Sequence, residues 1–301
     1  MQLTKTQRVA LFLAIAFIGS WSLALAFHML GGRMDRPEGR AVSILYSMVP
    51  GLAALVVQGA VARRLVAGPL GLKPRLNRWV LLAWVLPLGI LLLSFAAYAV
   101  LPGLELVTTT DAFVDRLRAT LPPEALEDLE DHLREHPPPH PALIVFQGLL
   151  GGVVNMFVAL GEELGWRGYL LVEIEGGFWR RSMISGLVWG AWLVPWVLAG
   201  FLFPDDPGLG VPMAFAWAML LSPALVLLRA RSGTVWAPAL MRGTLMALTL
   251  PASQLTVGGG ALMKPFVGAV GLGATAVAVS LLVLAARRRP VRTDPSPRAN
   301  G

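Results

Sequence analysis

Long apolar stretches alternate with shorter polar segments along this chain, and their lengths predict its architecture. A helix needs about 20 mostly apolar residues to cross a bilayer. Stretches that meet or approach this length lie at residues 8–30, 41–62, 79–101, 142–160, 182–203, 211–228, 234–250 and 265–286. The first has the basic start of a signal peptide, but its apolar run is too long for one, and we predict an uncleaved span. The pattern predicts an all-α integral membrane protein, a bundle of about eight transmembrane helices.

The composition supports this architecture. Of 301 residues, 55% are hydrophobic and 14% are charged, whereas a soluble domain averages about 25% charged residues. These proportions exclude a water-soluble domain and a disordered chain. The sequence has no cysteine, which excludes disulfides, thiol nucleophiles and cysteine-ligated metal sites.

The net charge of +7 is distributed as in a membrane protein. Segment 63–78 holds five lysines and arginines and no acid, and further arginines follow the fourth, sixth and eighth apolar stretches. Segment 102–141 instead carries nine carboxylates against three arginines. Because Lys and Arg favour the cytoplasmic side, we predict a location in the cytoplasmic (inner) membrane, with both termini cytoplasmic. The expected partner is membrane lipid, not nucleic acid.

The acidic segment predicts one further helix, at residues 122–136, on the outer membrane surface. Prolines that can begin a helix precede leucines that share one face, and a run of three prolines ends it. His132, Glu135 and His136 match H-x-x-E-H, a pattern of some zinc peptidases. Because the helix is short and no third ligand is fixed nearby, we interpret these side chains as a solvated polar face.

Two adjacent glutamates, Glu162 and Glu163, stand directly against a long apolar run, and Arg167 follows them. Ionisable residues at membrane depth are costly and usually mark function. Arg167 lies four residues after Glu163, so a helix would pair them, while Glu162 points about 100° away and is free to face the bundle. Two buried carboxylates resist joint ionisation, so a cation must compensate or one must be protonated. The alternative interpretation is a buried salt bridge that only fixes helix packing.

Three motifs, in order, resemble the CPBP family, which comprises the CAAX proteases and bacteriocin-processing enzymes. They are EELGWRGY at residues 162–169, ISGLVWGAWLVP at 184–195 and RSGTVWAPALMRGTLM at 231–246. The resemblance covers about residues 142–250. It implies an eight-span α-helical intramembrane endopeptidase that depends on a metal.

Within this resemblance, the catalytic residues would be Glu162, Glu163 and Arg167. One glutamate would activate water, and Arg167 would orient the pair. The three motifs also divide the chain, as one structural domain, into residues 1–141, a CPBP-like core at 142–250, and residues 251–301 with the last span and a basic tail.

Three polar positions of the family motifs are replaced in this chain. Leu193 and Arg242 stand at the two histidine positions, and Met246 stands at the asparagine position. Leucine offers no donor, methionine is a poor ligand for zinc, and arginine is never neutral. We therefore expect no metal or other cofactor. We hypothesise that Arg242 takes over the electrostatic role of the metal through bidentate hydrogen bonds to a carboxylate. Alternatively, it reaches an interface or stabilises its helix independently.

These residues predict a CPBP-family endopeptidase homologue that is weakened or inactive, and they leave open whether it is an enzyme. One alternative is an active membrane-embedded metalloprotease, in which Glu162 and Glu163 hold zinc with non-standard ligands. Another is a membrane binding scaffold or a transporter, although a transporter usually has a second related half that this chain lacks. The partner would be a peptide or a membrane protein, as substrate or ligand.

Overall fold

Helices dominate the computed structural model, which describes residues 3–34, 36–120, 139–204 and 206–287, with Ala125, Leu133 and His136. Apolar stretches in lipid form helices because these satisfy their own backbone hydrogen bonds. All but one of the helices below match a predicted stretch. They are α1 (Lys5–Met29), α2 (Pro37–Leu55), α3 (Arg78–Val100), α4 (Thr110–Thr120), α5 (Pro141–Glu163), α6 (Phe178–Leu198), α7 (Pro207–Ser232), α8 (Trp236–Gln254) and α9 (Ala269–Arg287).

Six helical segments of the described chain are long and apolar enough to cross a membrane. They contain α1, α2, α3, α5, α7 and α9. The other two predicted spans, α6 and α8, carry arginines and bury many of their side chains inside the bundle, so they need less apolar surface toward lipid. An all-α membrane protein is therefore confirmed, while the count of eight spans stays a prediction.

Two helices continue as wider π-helical turns. Helix α2 runs on through Val56–Val61, and α5 runs on through Leu164–Leu170 before a last α-helical turn at Leu171–Glu173. π-Helical turns inside α-helices are rare and frequently lie at functional sites. The turn at Leu164–Leu170 directly follows the two glutamates.

Helix α4 and a short strand pair were not part of the predicted pattern. Strand β1 (Leu104–Leu106) pairs antiparallel with β2 (Thr256–Gly258), so that Glu105 lies opposite Val257. The pair joins the segment after α3 to the segment after α8. The helix predicted at residues 122–136 lies outside the described residues except for Ala125, Leu133 and His136.

Glycines let α5 approach α2 and α8 closely. A Cβ atom on Gly161 would stand 2.5 Å from the carbonyl oxygen of Ser47 in α2, and one on Gly152 would overlap Thr244 in α8. Gly243 of α8 faces the backbone of α5 in return. Small residues allow such close approach between membrane helices. This packing brings the end of α5, with its glutamates, against both neighbouring helices.

Candidate active site

The two glutamates occupy the last α-helical turn of α5 and are buried within the protein. Glu162 is 3% exposed, and both Glu163 and Arg167 are 0% exposed. The carboxylates point to different neighbours, as their 100° separation on a helix requires. Each glutamate therefore has its own set of partners.

Glu163 pairs with the arginine that follows it on the same helix. Its Oε1 accepts a hydrogen bond from Nη1 of Arg167 at 2.9 Å, and both side chains are fully buried. The four-residue pair predicted from the sequence is confirmed. No described residue donates a hydrogen bond to Oε2 of Glu163.

Glu162 points into the bundle and is contacted from three other helices. Its Oε1 accepts from the Ser47 hydroxyl of α2 at 3.1 Å. Its Oε2 accepts from Nε1 of Trp189 in α6 at 3.2 Å and from Nη2 of Arg242 in α8 at 2.9 Å. Both oxygens of this carboxylate are thus engaged by donors of the protein.

Arg242 does place a guanidinium between the two carboxylates, but the predicted bidentate geometry is wrong. One nitrogen, Nη2, bonds to Glu162, while Nε lies 4.0 Å from Oε1 of Glu163. The guanidinium cannot present two parallel N–H groups to one carboxylate because it reaches toward both. The alternative that Arg242 extends to an interface is also wrong, since the residue is buried.

Trp189 contacts both arginines of the cluster. The centre of its ring lies 4.9 Å from the guanidinium carbon of Arg167 and 4.6 Å from that of Arg242. Trp217 of α7 offers Arg242 a second ring at 5.1 Å. Such cation–π contacts strengthen when they are removed from water. Two carboxylates, two guanidiniums and two indole rings form one charge-balanced cluster.

An apolar cavity of about 190 Å³ reaches the Glu162 side of this cluster. Glu162, Leu193, Arg242 and Met246 all line it, whereas Glu163 and Arg167 do not. The structure therefore brings the three substituted motif positions together around one glutamate of the pair. Half of the other lining residues are aromatic: Tyr46, Trp192, Trp196, Phe201, Trp217 and Phe266.

Helix α2 contributes to this site in a way that the sequence analysis missed. Ser47 donates to Glu162, and the neighbouring Tyr46 lines the cavity and donates its hydroxyl to the Trp192 carbonyl at 2.6 Å. Ser47 and Glu162 are 115 positions apart in the chain. The available signal was weak: two polar side chains side by side within an apolar stretch.

The groups around Glu162 do not fit a metal ion. Catalytic zinc takes three protein ligands with nitrogen, oxygen or sulfur donors. In the part of the chain that the structure describes, no three His, Cys, Asp or Glu side chains lie close enough together to hold one. The indole of Trp189 and the guanidinium of Arg242 bring N–H groups, which cannot coordinate, to the carboxylate. The groups around Glu162 are therefore chemically unsuited to coordinate a metal ion.

None of the described histidines, which are His28, His136 and His140, lines this cavity. His28 is exposed near the end of α1. His140 begins α5, where its Nδ1 accepts a hydrogen bond from the N–H of Ala142 at 3.2 Å. His132 and Glu135 of the H-x-x-E-H pattern lie outside the described residues.

Comparison with known families identifies the part of the chain that builds this site. Residues 143–248 match the model of the Rce1-like family, described as type II CAAX prenyl endopeptidase Rce1-like. No curated protein matches the chain. The matched segment runs from α5 to α8 and contains Glu162, Glu163, Arg167 and all three substituted positions. Residues 143–248, about a third of this membrane protein, are therefore similar to the Rce1-like endopeptidases of the CPBP family.

Proposed function

We propose that this protein is a CPBP-family homologue whose endopeptidase site is inactive or strongly weakened, and whose cavity binds an apolar segment of a peptide or membrane protein. The observation that carries the proposal is the 2.9 Å ion pair between Arg242 and Glu162. The family resemblance assigns water activation to this glutamate pair, and Glu162 is the member that lines the cavity.

A general base needs a free lone pair within hydrogen-bond reach of the water that it deprotonates. Glu162 accepts hydrogen bonds from Ser47, Trp189 and Arg242, which together use three of the roughly four acceptor positions of a carboxylate. Glu163 is bonded to Arg167 and does not line the cavity. These contacts, above all the ion pair with Arg242, support the proposal that Glu162 is a poor base for a water in the cavity.

The cation that the family site would hold is replaced by the side chain of Arg242. A guanidinium balances the carboxylate charge but carries no open coordination position for water. We propose that the protein works without zinc, and that Leu193, Arg242 and Met246 changed together as one adaptation. Arg167 then stabilises Glu163 instead of orienting a reactive pair.

The cavity that remains suits an apolar ligand. Its volume of about 190 Å³ and its aromatic wall would accept one or two apolar side chains. Sites of this type bury apolar groups and orient them with a few polar contacts. We propose a peptide or membrane-protein partner and infer no prenyl group. We also propose the cytoplasmic membrane, with both termini cytoplasmic, from the positions of the arginines.

One observation favours the alternative of an active enzyme. Glu162 lines a ligand-sized cavity, as a reacting carboxylate would. In that case, Glu162 or Glu163 would recruit zinc with ligands of another kind, and Arg242 would have to leave the carboxylate. The two proposals differ in metal content and in peptide hydrolysis.

The deciding experiment compares metal content and activity in two detergent-purified proteins. These are the wild type and a variant carrying Leu193→His, Arg242→His and Met246→Asn. We expect no stoichiometric zinc in the wild type and about one zinc per chain in the variant. Adding Glu162→Gln to the variant is the matched control and should lower its zinc content.

Hydrolysis of a fluorogenic apolar peptide is measured on the same samples. Background hydrolysis by the wild type supports the proposal. Stoichiometric zinc in the wild type, lost in Glu162→Gln and accompanied by peptide cleavage, would establish the active alternative instead.

A further inference from the structure

The arginine-rich segment at residues 63–78 is docked on the turn between α7 and α8. The carbonyl of Gly71 accepts from the N–H of Val235 at 2.9 Å, and the Asn77 amide donates to the carbonyl of Ser232 at 3.0 Å. A segment that could have been a loose loop is therefore held against the end of α7. The backbone that carries its positive charges therefore has a fixed position relative to that helix.

Arg229, in the last turn of α7, is buried beneath this segment. Its Nε donates to the backbone carbonyl of Arg167 at 3.2 Å, and its Nη2 donates to that of Pro69 at 3.4 Å. Gly71, at φ +75°, lies against it: a Cβ there would stand 2.5 Å from Nη2. Among the described residues no carboxylate pairs with Arg229. Carbonyl dipoles alone do not balance a buried charge.

Arg75 supplies a second cation beside the first. Arg75 is exposed, and its Nη1 lies beside Gly233 at the end of α7. A Cβ atom added to Gly233 would stand 2.9 Å from this nitrogen. Its guanidinium repels that of Arg229. Across the described ranges it forms no hydrogen bond or ion pair. Two like charges near each other, one of them buried, are stabilised by an anion that contacts both.

Acidic side chains at this end of the bundle do not supply that anion. Segment 63–78 contains none. Glu175 is engaged with Lys5 at 2.8 Å, and this ammonium group lowers the pKa of the Glu175 carboxyl. Glu173 lies near Tyr169. The anion for the two arginines must come from outside the described chain.

We propose that Arg75 and Arg229 bind the phosphate of an anionic phospholipid head group. Guanidinium groups bind phosphate oxygens with two parallel N–H donors. Arg229 lies at the end of a helix that is apolar and long enough to span the membrane, where head groups lie. Basic pockets between membrane helices bind anionic head groups. The site is separate from the cavity, because Arg229 touches the glutamate cluster only through the backbone carbonyl of Arg167.

Native mass spectrometry of the full-length protein in detergent tests the proposal. The probes are phosphatidylglycerol and phosphatidylcholine, which differ in net charge. We expect the wild type to bind phosphatidylglycerol more tightly. Arg75→Gln should weaken that binding about fivefold, since one arginine near a head group contributes ~1 kcal/mol. Arg180→Gln is the matched control, an exposed arginine in the first turn of α6, and should leave the affinity unchanged.

Arg75→Gln is the decisive variant, because Arg75 has no internal hydrogen bond to lose, whereas Arg229→Gln also breaks two bonds to backbone carbonyls. Equal binding of the two lipids overturns the proposal. So does an equal loss in Arg75→Gln and Arg180→Gln, which would indicate a diffuse basic surface. Inorganic phosphate is a third probe. If it binds in an Arg75-dependent manner and phosphatidylglycerol does not compete, the phosphate site stands but the lipid assignment is overturned.

Discussion

Replacing Arg242 by methionine tests whether its salt bridge with Glu162 holds the site together. Methionine keeps an apolar chain of similar reach beside Trp189 and Trp217 but removes the guanidinium. Glu162 then loses its 2.9 Å hydrogen bond, and Glu163 loses a cation 4.0 Å away. The cluster changes from balanced to one uncompensated negative charge.

The expected loss of stability follows from what remains around Glu162. Removing one partner of a buried ion pair costs about 3–5 kcal/mol. Ser47 and Trp189 still donate to the carboxylate, at 3.1 and 3.2 Å, so it is not left without partners. Their hydrogen bonds place the electrostatic loss near ~3 kcal/mol. Loss of the cation–π contacts adds about 1 kcal/mol, which gives a total of about 4 kcal/mol.

Urea unfolding in detergent micelles, followed by circular dichroism, measures this loss in two backgrounds. In the Glu162→Gln background, Arg242→Met leaves no unpaired charge at position 162. We therefore expect a coupling free energy of at least about 2 kcal/mol between positions 162 and 242. Arg40→Met changes an exposed arginine of α2 and should cost less than about 0.5 kcal/mol. If Arg242→Met costs no more than Arg40→Met in either background, Arg242 does not replace a cation at this site.

Two further replacements test the packing of the same cluster. Trp189→Phe keeps the ring beside both arginines but loses the N–H bond to Glu162; we expect a cost of about 1.5–3 kcal/mol in the same unfolding assay. If the hydrogen bond to Glu162 is the source of this cost, Trp189→Phe should cost nothing further in the Glu162→Gln background. Gly243→Ala drives a Cβ into the backbone of α5 and should lower the stability by about 1–3 kcal/mol. Gly89→Ala is its control, since no atom lies within 4 Å of the added Cβ; a loss equal to that of Gly243→Ala would contradict the close-approach argument.

The helices could be predicted because each one is a local consequence of an apolar run in lipid. The stretch at 79–101 became Arg78–Val100, and its start follows from Asn77, whose side chain accepts from the N–H of Trp79 at 3.0 Å. The pair of β1 and β2 could not be predicted in this way. Its strands have three residues each, which is too short for a periodic pattern.

The contacts within the site are likewise of two kinds: local contacts, which the sequence predicts, and contacts between distant helices, which it does not. The bond from Arg167 to Glu163 depends only on helical spacing, so four residues of sequence are enough to predict it. The partners of Glu162 come from α2, α6 and α8, and no spacing rule connects them. The family motifs placed Arg242 near the glutamates, but they could not show that its guanidinium would divide its contacts between two carboxylates.

The proposal that Leu193, Arg242 and Met246 changed together rests on charge and donor chemistry. If both glutamates are ionised, two positive charges balance them, and Arg167 supplies one of these charges. Arg242→His alone would remove the second cation without completing a metal site, because Leu193 brings no donor and Met246 only a thioether. Arg242→His would leave a buried carboxylate without its cation. Breaking a buried ion pair in this way lowers the free energy of unfolding by several kcal/mol. With arginine at this position, we therefore expect single substitutions that remove its charge to be destabilising.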